Sequence, residues 1–183
     1  MLVKRVGILA LCALTGWLAM AANAEERQIT SSAKNHELDN NDNFSPDGRF
    51  LCYDTRETVG PGIGNGQTIE LVEVETGREI LLYTPEAAVT GERPAPGVGA
   101  VSFCPASARV AFIHGPAVRA LGERGPYGKP NRTGMEVRMT PEALESGGGF
   151  THAMLDARDI ATDRDTTPGA HRGGTHRHEY TRE

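Results

Sequence analysis

His171, His176 and His178 fall within eight residues of one another in the stretch HRGGTHRHEYTRE. On a β-strand, side chains two apart leave the same face roughly 7 Å along, so His176 and His178 are placed to share one ion. Neutral imidazoles suit a divalent metal such as manganese or zinc. His171 is the third candidate, because Arg172-Gly173-Gly174 gives the backbone freedom to fold its ring back. His114 and His152 are further candidates whose place the sequence does not fix. Arg172 and Arg177 add positive charge that opposes a cation unless Asp156, Asp159 or Glu179 offsets it, and the same charge suits an anionic substrate. The other reading makes these surface or turn histidines that hydrogen-bond backbone. Both readings stand at this point.

Other chemistry finds little support. No Gly-x-Ser-x-Gly elbow and no Cys-x-x-Cys pair occurs. DNNDN, Asp39 to Asn43, places acids and amides like the start of an EF-hand loop, but Phe44 stands where that loop needs glycine. The glycine-rich RETVGPGIGNG, residues 56–66, runs into a strand rather than opening a helix, so it cannot aim free N–H groups at a phosphate. GERGPYGKP, Gly122 to Pro130, has the wrong glycine spacing for a P-loop and ends in proline.

The elements that must position such residues begin after a secretory signal, residues 1–24. Lys4 and Arg5 form its charged region, Val6 to Met20 its apolar one, and Ala22-Asn23-Ala24 its cleavage site. The apolar run of about 15 residues is short for a span, which needs about 20. Cleavage leaves 159 residues with a formal charge of −7. That balance argues against nucleic acid or an anionic membrane as partner. The signal predicts a periplasmic or secreted protein with no stable membrane span after cleavage. Cys52 and Cys104 remain, one expected in a strand and one in a turn; these non-equivalent places favour two unpaired buried thiols over a disulfide.

Repeats organise the rest. FSPDGRFLCYDT, Phe44 to Thr55, reads as strand, turn, strand, with proline pre-setting φ and glycine accepting φ > 0. VSFCPASARVAFIHG, Val101 to Gly115, repeats it: Phe103 matches Phe44, and Arg109-Val110-Ala111-Phe112 matches Arg49-Phe50-Leu51-Cys52. THRHEYTRE, Thr175 to Glu183, begins a third copy with Tyr180 in the place of Phe44. Thr68 to Tyr83 reads as a hairpin about Glu75-Thr76-Gly77-Arg78. Arg27 to Thr30 is a β-prone stub, Ser31 to Asn43 a polar loop, Met135 to Met139 and Phe150 to Ile160 strands, and Pro141 to Ser146 one helical turn. Four strands per 40 to 50 residues predict an all-β fold, a partial β-propeller of about two four-stranded blades and the start of a third. Blade one covers about 27–83, blade two about 100–165, and the third opens at about 175–183.

FSPDGRFLCYDT with IELVEVETGREILLY resembles the repeat of TolB-like β-propellers, and RQIT at Arg27 to Thr30 resembles the phrase before it. FIHGP, LDARDI, TPG and RGGTHRH, from Phe112 to His178, resemble a bacterial branch typified by YidR-like proteins. The resemblance implies a propeller whose loop-lined face holds a protein or glycan. A fold-level analogy to oligogalacturonate lyases implies the alternative, a metal-dependent polysaccharide lyase or hydrolase with histidines at the propeller centre. Glu183 stands where the third turn's aspartate belongs, so residues 25–183 are expected to be the N-terminal part of a longer propeller.

Overall fold

Eight strands in chain order make two antiparallel four-stranded sheets. The first orders β1 (Asn35–Glu37), β2 (Phe50–Arg56), β3 (Gly66–Glu73) and β4 (Glu79–Tyr83); the second orders β5 (Val98–Phe103), β6 (Arg109–His114), β7 (Thr133–Arg138) and β8 (Thr151–Met154). The structure is a computed structural model and describes residues 26–59, 62–86, 96–155 and 177–181. The signal segment, the end of the expected second blade, and His171 and His176 lie outside those residues. Two short helices, α1 (Leu121–Arg124) and α2 (Pro141–Ser146), complete the described chain. No helix among the described residues is long and apolar enough to cross a membrane.

Local chemistry sets the turns. Gly48 takes φ 71°, and its amide donates to the Ser45 carbonyl at 2.9 Å. Asp47 Oδ1 accepts from the Ser45 hydroxyl at 2.6 Å and from the Arg49 amide at 3.1 Å, which closes the Ser-Pro-Asp-Gly turn before β2. For α2, Thr140 Oγ1 caps the Ala143 amide at 3.1 Å, Pro141 occupies the first turn, and Gly147 ends the helix in the left-handed region at φ 73°.

The repeat register differs by one residue from the sequence reading. Phe44 bridges Leu51 and Phe103 pairs with Val110. The Ser45 amide donates to the Phe50 carbonyl at 2.9 Å and the Cys104 amide to the Arg109 carbonyl at 2.8 Å. Phe50-Leu51-Cys52 therefore matches Arg109-Val110-Ala111, because turn length fixes register and the shared arginine does not. The slip reverses the faces. Phe50, Cys52 and Asp54 face the second sheet, whereas Arg109, Ala111 and Ile113 face away from the first.

The core lies between the sheets. Phe50, Cys52, Ile69, Leu71, Ile80 and Leu82 meet Val101, Phe103, Val110, Phe112, Met135 and Val137, all buried. Each such side chain contributes about 1.5–3 kcal/mol relative to exposure. At the junction the backbones touch: a Cβ at Gly66 would overlap the Val98 carbonyl, and one at Gly115 the Pro96 carbonyl.

Three expectations change. β1 lies inside the stretch read as polar loop; as a half-buried strand paired with Asp54–Arg56 it carries no apolar alternation. Residues 27–30 form no strand, since side chains rather than a backbone ladder hold this segment: the Arg27 guanidinium donates to the Val74 carbonyl at 2.6 Å. The described residues 177–181 also carry no strand. Tyr180 packs on the outer face of the second sheet, donating to Glu136 Oε2 at 2.8 Å. Phe103 is 1% exposed but Phe44 is 56% exposed, so equivalent aromatics need not be equally buried.

Candidate ligand cleft at the loop-bearing end

The chain order places the turns before β2, β4 and β6 together with the α2-bearing connection 139–150 at one end of the sheets, and the β2–β3 and β6–β7 connections at the other. Turns 45–48, 74–78 and 104–108 lie at the first end, where Arg78 donates to the carbonyls of Leu144 and Glu145. The described parts of connections 57–65, 84–97 and 115–132 lie at the second end, where the Gly115 amide donates to the Gly97 carbonyl at 2.8 Å. Long loops on a rigid scaffold are where binding residues concentrate.

Beneath that end sits a buried charge cluster. Asp54 and Arg56 project from the end of β2, their side chains 0% and 3% exposed. Arg56 Nε donates to Asp54 Oδ1 at 2.7 Å, and its Nη2 pairs with Asp39. Burial pushes the Asp54 carboxyl up to about 6, with the Arg56 charge and the Ala100 amide opposing it. Asp54 Oδ2 also accepts from the Ala100 amide at 2.9 Å. Ala100 takes φ 55°, a left-handed conformation that costs a non-glycine residue about 1–2 kcal/mol. It sits where β5 bulges between Gly99 and Ser102. Asn40 holds it from the other side, donating to the Ala100 carbonyl at 2.6 Å and to Ser102 Oγ at 2.8 Å. The bulge is therefore fixed by two side chains, Asp54 of β2 and Asn40 of the β1–β2 connection.

Above this cluster lies a cleft of about 230 Å³, lined by Asp39, Asn40, Ile63, Ala100, Arg132 and Arg177 among others. Tyr127, from the β6–β7 connection, packs against the same Ile63, Ala100 and Ile113 wall, and the Arg132 guanidinium lies 5.3 Å from its ring centre. Burial raises the Tyr127 phenol above its ordinary value, with the Arg132 charge opposing. Among the described residues, Asn40 Oδ1 and Arg132 Nε are buried without a hydrogen-bond partner. Native structures rarely leave such atoms unmatched.

Two further polar groups are closed. The Tyr53 hydroxyl lies 3.0 Å from Glu70 Oε2 and 2.9 Å from Glu79 Oε1. Lys34 pairs with Glu70 at 2.7 Å, and Ser32 donates to Glu79 at 2.7 Å. Burial raises the Tyr53 phenol strongly, and both carboxylates add to it. This network ties segment 26–34 over the first sheet. Around Glu136, Arg109 contributes at 3.2 Å and Arg138 at 2.5 Å.

The histidines singled out by sequence do not assemble among the described residues. His171 and His176 lie outside them. The His178 ring rests on Gly134 of β7, where a Cβ would collide with it. His114 Nε2 meets the Tyr83 hydroxyl at 3.0 Å, and His152 Nε2 lies 3.1 Å from the Leu82 carbonyl, so both serve the junction around Tyr83. No group of three metal-ligating side chains occurs among the described residues. Cys52 and Cys104 are free and buried. Burial pushes the Cys52 thiol up to about 12. At Cys104 burial acts the same way, but hydrogen bonds from Ser107 and Arg109 outweigh it and hold the thiol below its ordinary value. Sequence reasoning missed Asn40, Tyr127 and Arg132. Asn40 sat in the DNNDN run dismissed as a calcium loop, and Tyr127 and Arg132 in a connection tested only as a P-loop.

The family model for a Protein of unknown function (DUF3748) matches residues 97–183, which hold the whole second sheet. The Uncharacterized protein YidR of Escherichia coli (strain K12) is 33% identical over 155 residues, covering 85% of this chain and 32% of that protein. No solved structure matches the chain. The chain thus spans about a third of the length of the curated relative it matches, and is similar to that protein across both sheets.

Proposed function

We propose that the two sheets are consecutive blades of a TolB-like β-propeller, exported to the periplasm or secreted, whose loop-bearing end holds a protein or glycan ligand. One observation carries the reading. A cleft at the end where the β2–β3 and β6–β7 connections lie has in its lining Asn40 and Arg132, whose Oδ1 and Nε are buried without a hydrogen-bond partner. The sheet order supports the blade assignment, because each sheet is a four-stranded meander with the same turn geometry. The faces support it too: equivalent strand positions face the next unit in both sheets, as blades around an axis require.

The test uses the whole chain on a glycan microarray, with a photo-crosslinking residue placed at Val59 on the loop-bearing end or at Thr76 on the turn end. The proposal expects either a retained glycan class or a protein crosslinked from position 59 and not from 76. Silence on the array together with crosslinks only from 76 would overturn it.

A further inference from the structure

Phe44, Phe103 and Tyr180 hold one place in the repeat, and two of them dock alike. Phe103 enters the core between the sheets, 1% exposed, and shares the wall of a groove with Phe50, the first residue of β2. Tyr180 lies on the outer face of the second sheet, where the guanidinium of Arg109, the first residue of β6, sits 5.1 Å from its ring centre. Phe50 and Arg109 are equivalent in the observed register. The aromatic of each unit thus packs at the start of the second strand of the unit before it. Phe44 has no such unit among the described residues. It pairs with Leu51 on the outer face of the first sheet and is 56% exposed. Leu81, on the same face, is also exposed. Segment 26–34 crosses this face, Ser32 meeting Glu79 and Lys34 meeting Glu70, and leaves both apolar side chains open. Apolar groups left open where an equivalent is buried mark an interface.

Resting on the reading of the two sheets as consecutive blades, we propose that the outer face of the first sheet is an interface for a further four-stranded unit of the same repeat. Phe44 packs at the start of that unit's second strand as Phe103 packs on Phe50. In longer relatives the unit belongs to the same polypeptide: the chain covers 32% of the Escherichia coli relative, so about two thirds of that protein lies outside the match and has room for it. Units that follow in sequence add to the outer face of the second sheet, where Tyr180 already docks. The unit that reaches the first sheet is therefore the last of the ring, and its contact with Phe44 closes the ring. Closure buries Phe44 and gives it the apolar contribution that Phe103 makes between the first two sheets.

The test places photo-reactive benzoylphenylalanine in the full-length Escherichia coli relative at the residue aligned with Phe44, and in this chain at Tyr180. Linked peptides are identified by mass spectrometry after irradiation. From the Phe44 counterpart the expected link runs within one molecule to a peptide in the two thirds outside the match. A link to a second molecule, or none outside the matched third, would overturn the inference. From Tyr180 the expected link reaches β6. If that control holds while the first link fails, the ring is open and the blade reading survives. If Tyr180 misses β6, successive units are not related as blades and both fall. Phe44→Ser supplies the second readout. In this chain the melting temperature is expected to stay level, whereas serine at the aligned position of the relative is expected to lower it. A lowered melting temperature in this chain, or a level one in the relative, would contradict the assignment.

Discussion

Asp54 shows how a single buried carboxylate couples the first sheet to the second. Its folded value of about 6 lies above the ordinary 3.8. The folded chain therefore takes up this proton before the unfolded chain does as pH falls. Between about 6 and 4 this group makes the folded state progressively more stable, by at most about 3 kcal/mol, and the gain is lost as pH rises through 6. Asp54→Asn is expected to be less stable at pH 7, because its NH2 must face either Arg56 Nε or the Ala100 N–H, donor against donor, and to lack that rise. Melting curves of both proteins from pH 4 to 7 measure it; parallel pH profiles would show that Asp54 does not titrate there. Tyr53 makes the opposite kind of contribution. Its one proton bridges Glu70 and Glu79 under segment 26–34, so Tyr53→Phe removes a donor that two carboxylates share. The expected cost is about 1.5–3 kcal/mol by urea denaturation. A change below about 0.5 kcal/mol would show that Lys34, Ser32 and His36 satisfy the pair without it.

The elements were legible where local chemistry decides them. Ser-Pro-Asp-Gly and Glu-Thr-Gly-Arg name their turns outright, and β2, β3, β4 and α2 stand close to where the sequence puts them. β1 was not legible, because three polar residues on a half-buried strand show no alternation. Register was lost to one attractive coincidence, Arg49 and Arg109, which turn length overrules. The cleft was invisible for a different reason. Asn40 comes from the β1–β2 connection and Arg132 from the β6–β7 connection, and only packing brings them to one wall. The sheet junction yields the sharpest stability prediction at this scale. Gly66→Ala would drive a Cβ into the Val98 carbonyl, backbone against backbone, and is expected to cost more than about 3 kcal/mol or to prevent folding. Gly122→Ala, in α1 with open space around it, is the control and is expected to be neutral or slightly stabilising. Equal stability of the two variants would mean that the sheets do not meet at Gly66.

For the whole molecule, the proposed function combines export, a repeated four-stranded unit and a ligand end. Export is tested on mature protein from expressing cells: N-terminal sequencing is expected to begin at Glu25, and an intact Met1 in the soluble cytoplasmic fraction would contradict it. The unit itself admits a rival, since two four-stranded sheets packed face to face also describe a sandwich. What separates them is the relation of the strands. In a propeller each sheet turns the same face to its neighbour and successive sheets pack around one axis, whereas a sandwich closes after two. The most direct measurement is a crystal structure of the Escherichia coli relative that is 33% identical to this chain. The account predicts that its counterparts of β1–β4 and β5–β8 are neighbouring blades about a shared channel, with the counterpart of the Asn40 and Arg132 cleft opening at the loop-bearing end. A closed two-sheet sandwich, or counterparts of the two sheets that do not touch, would contradict it.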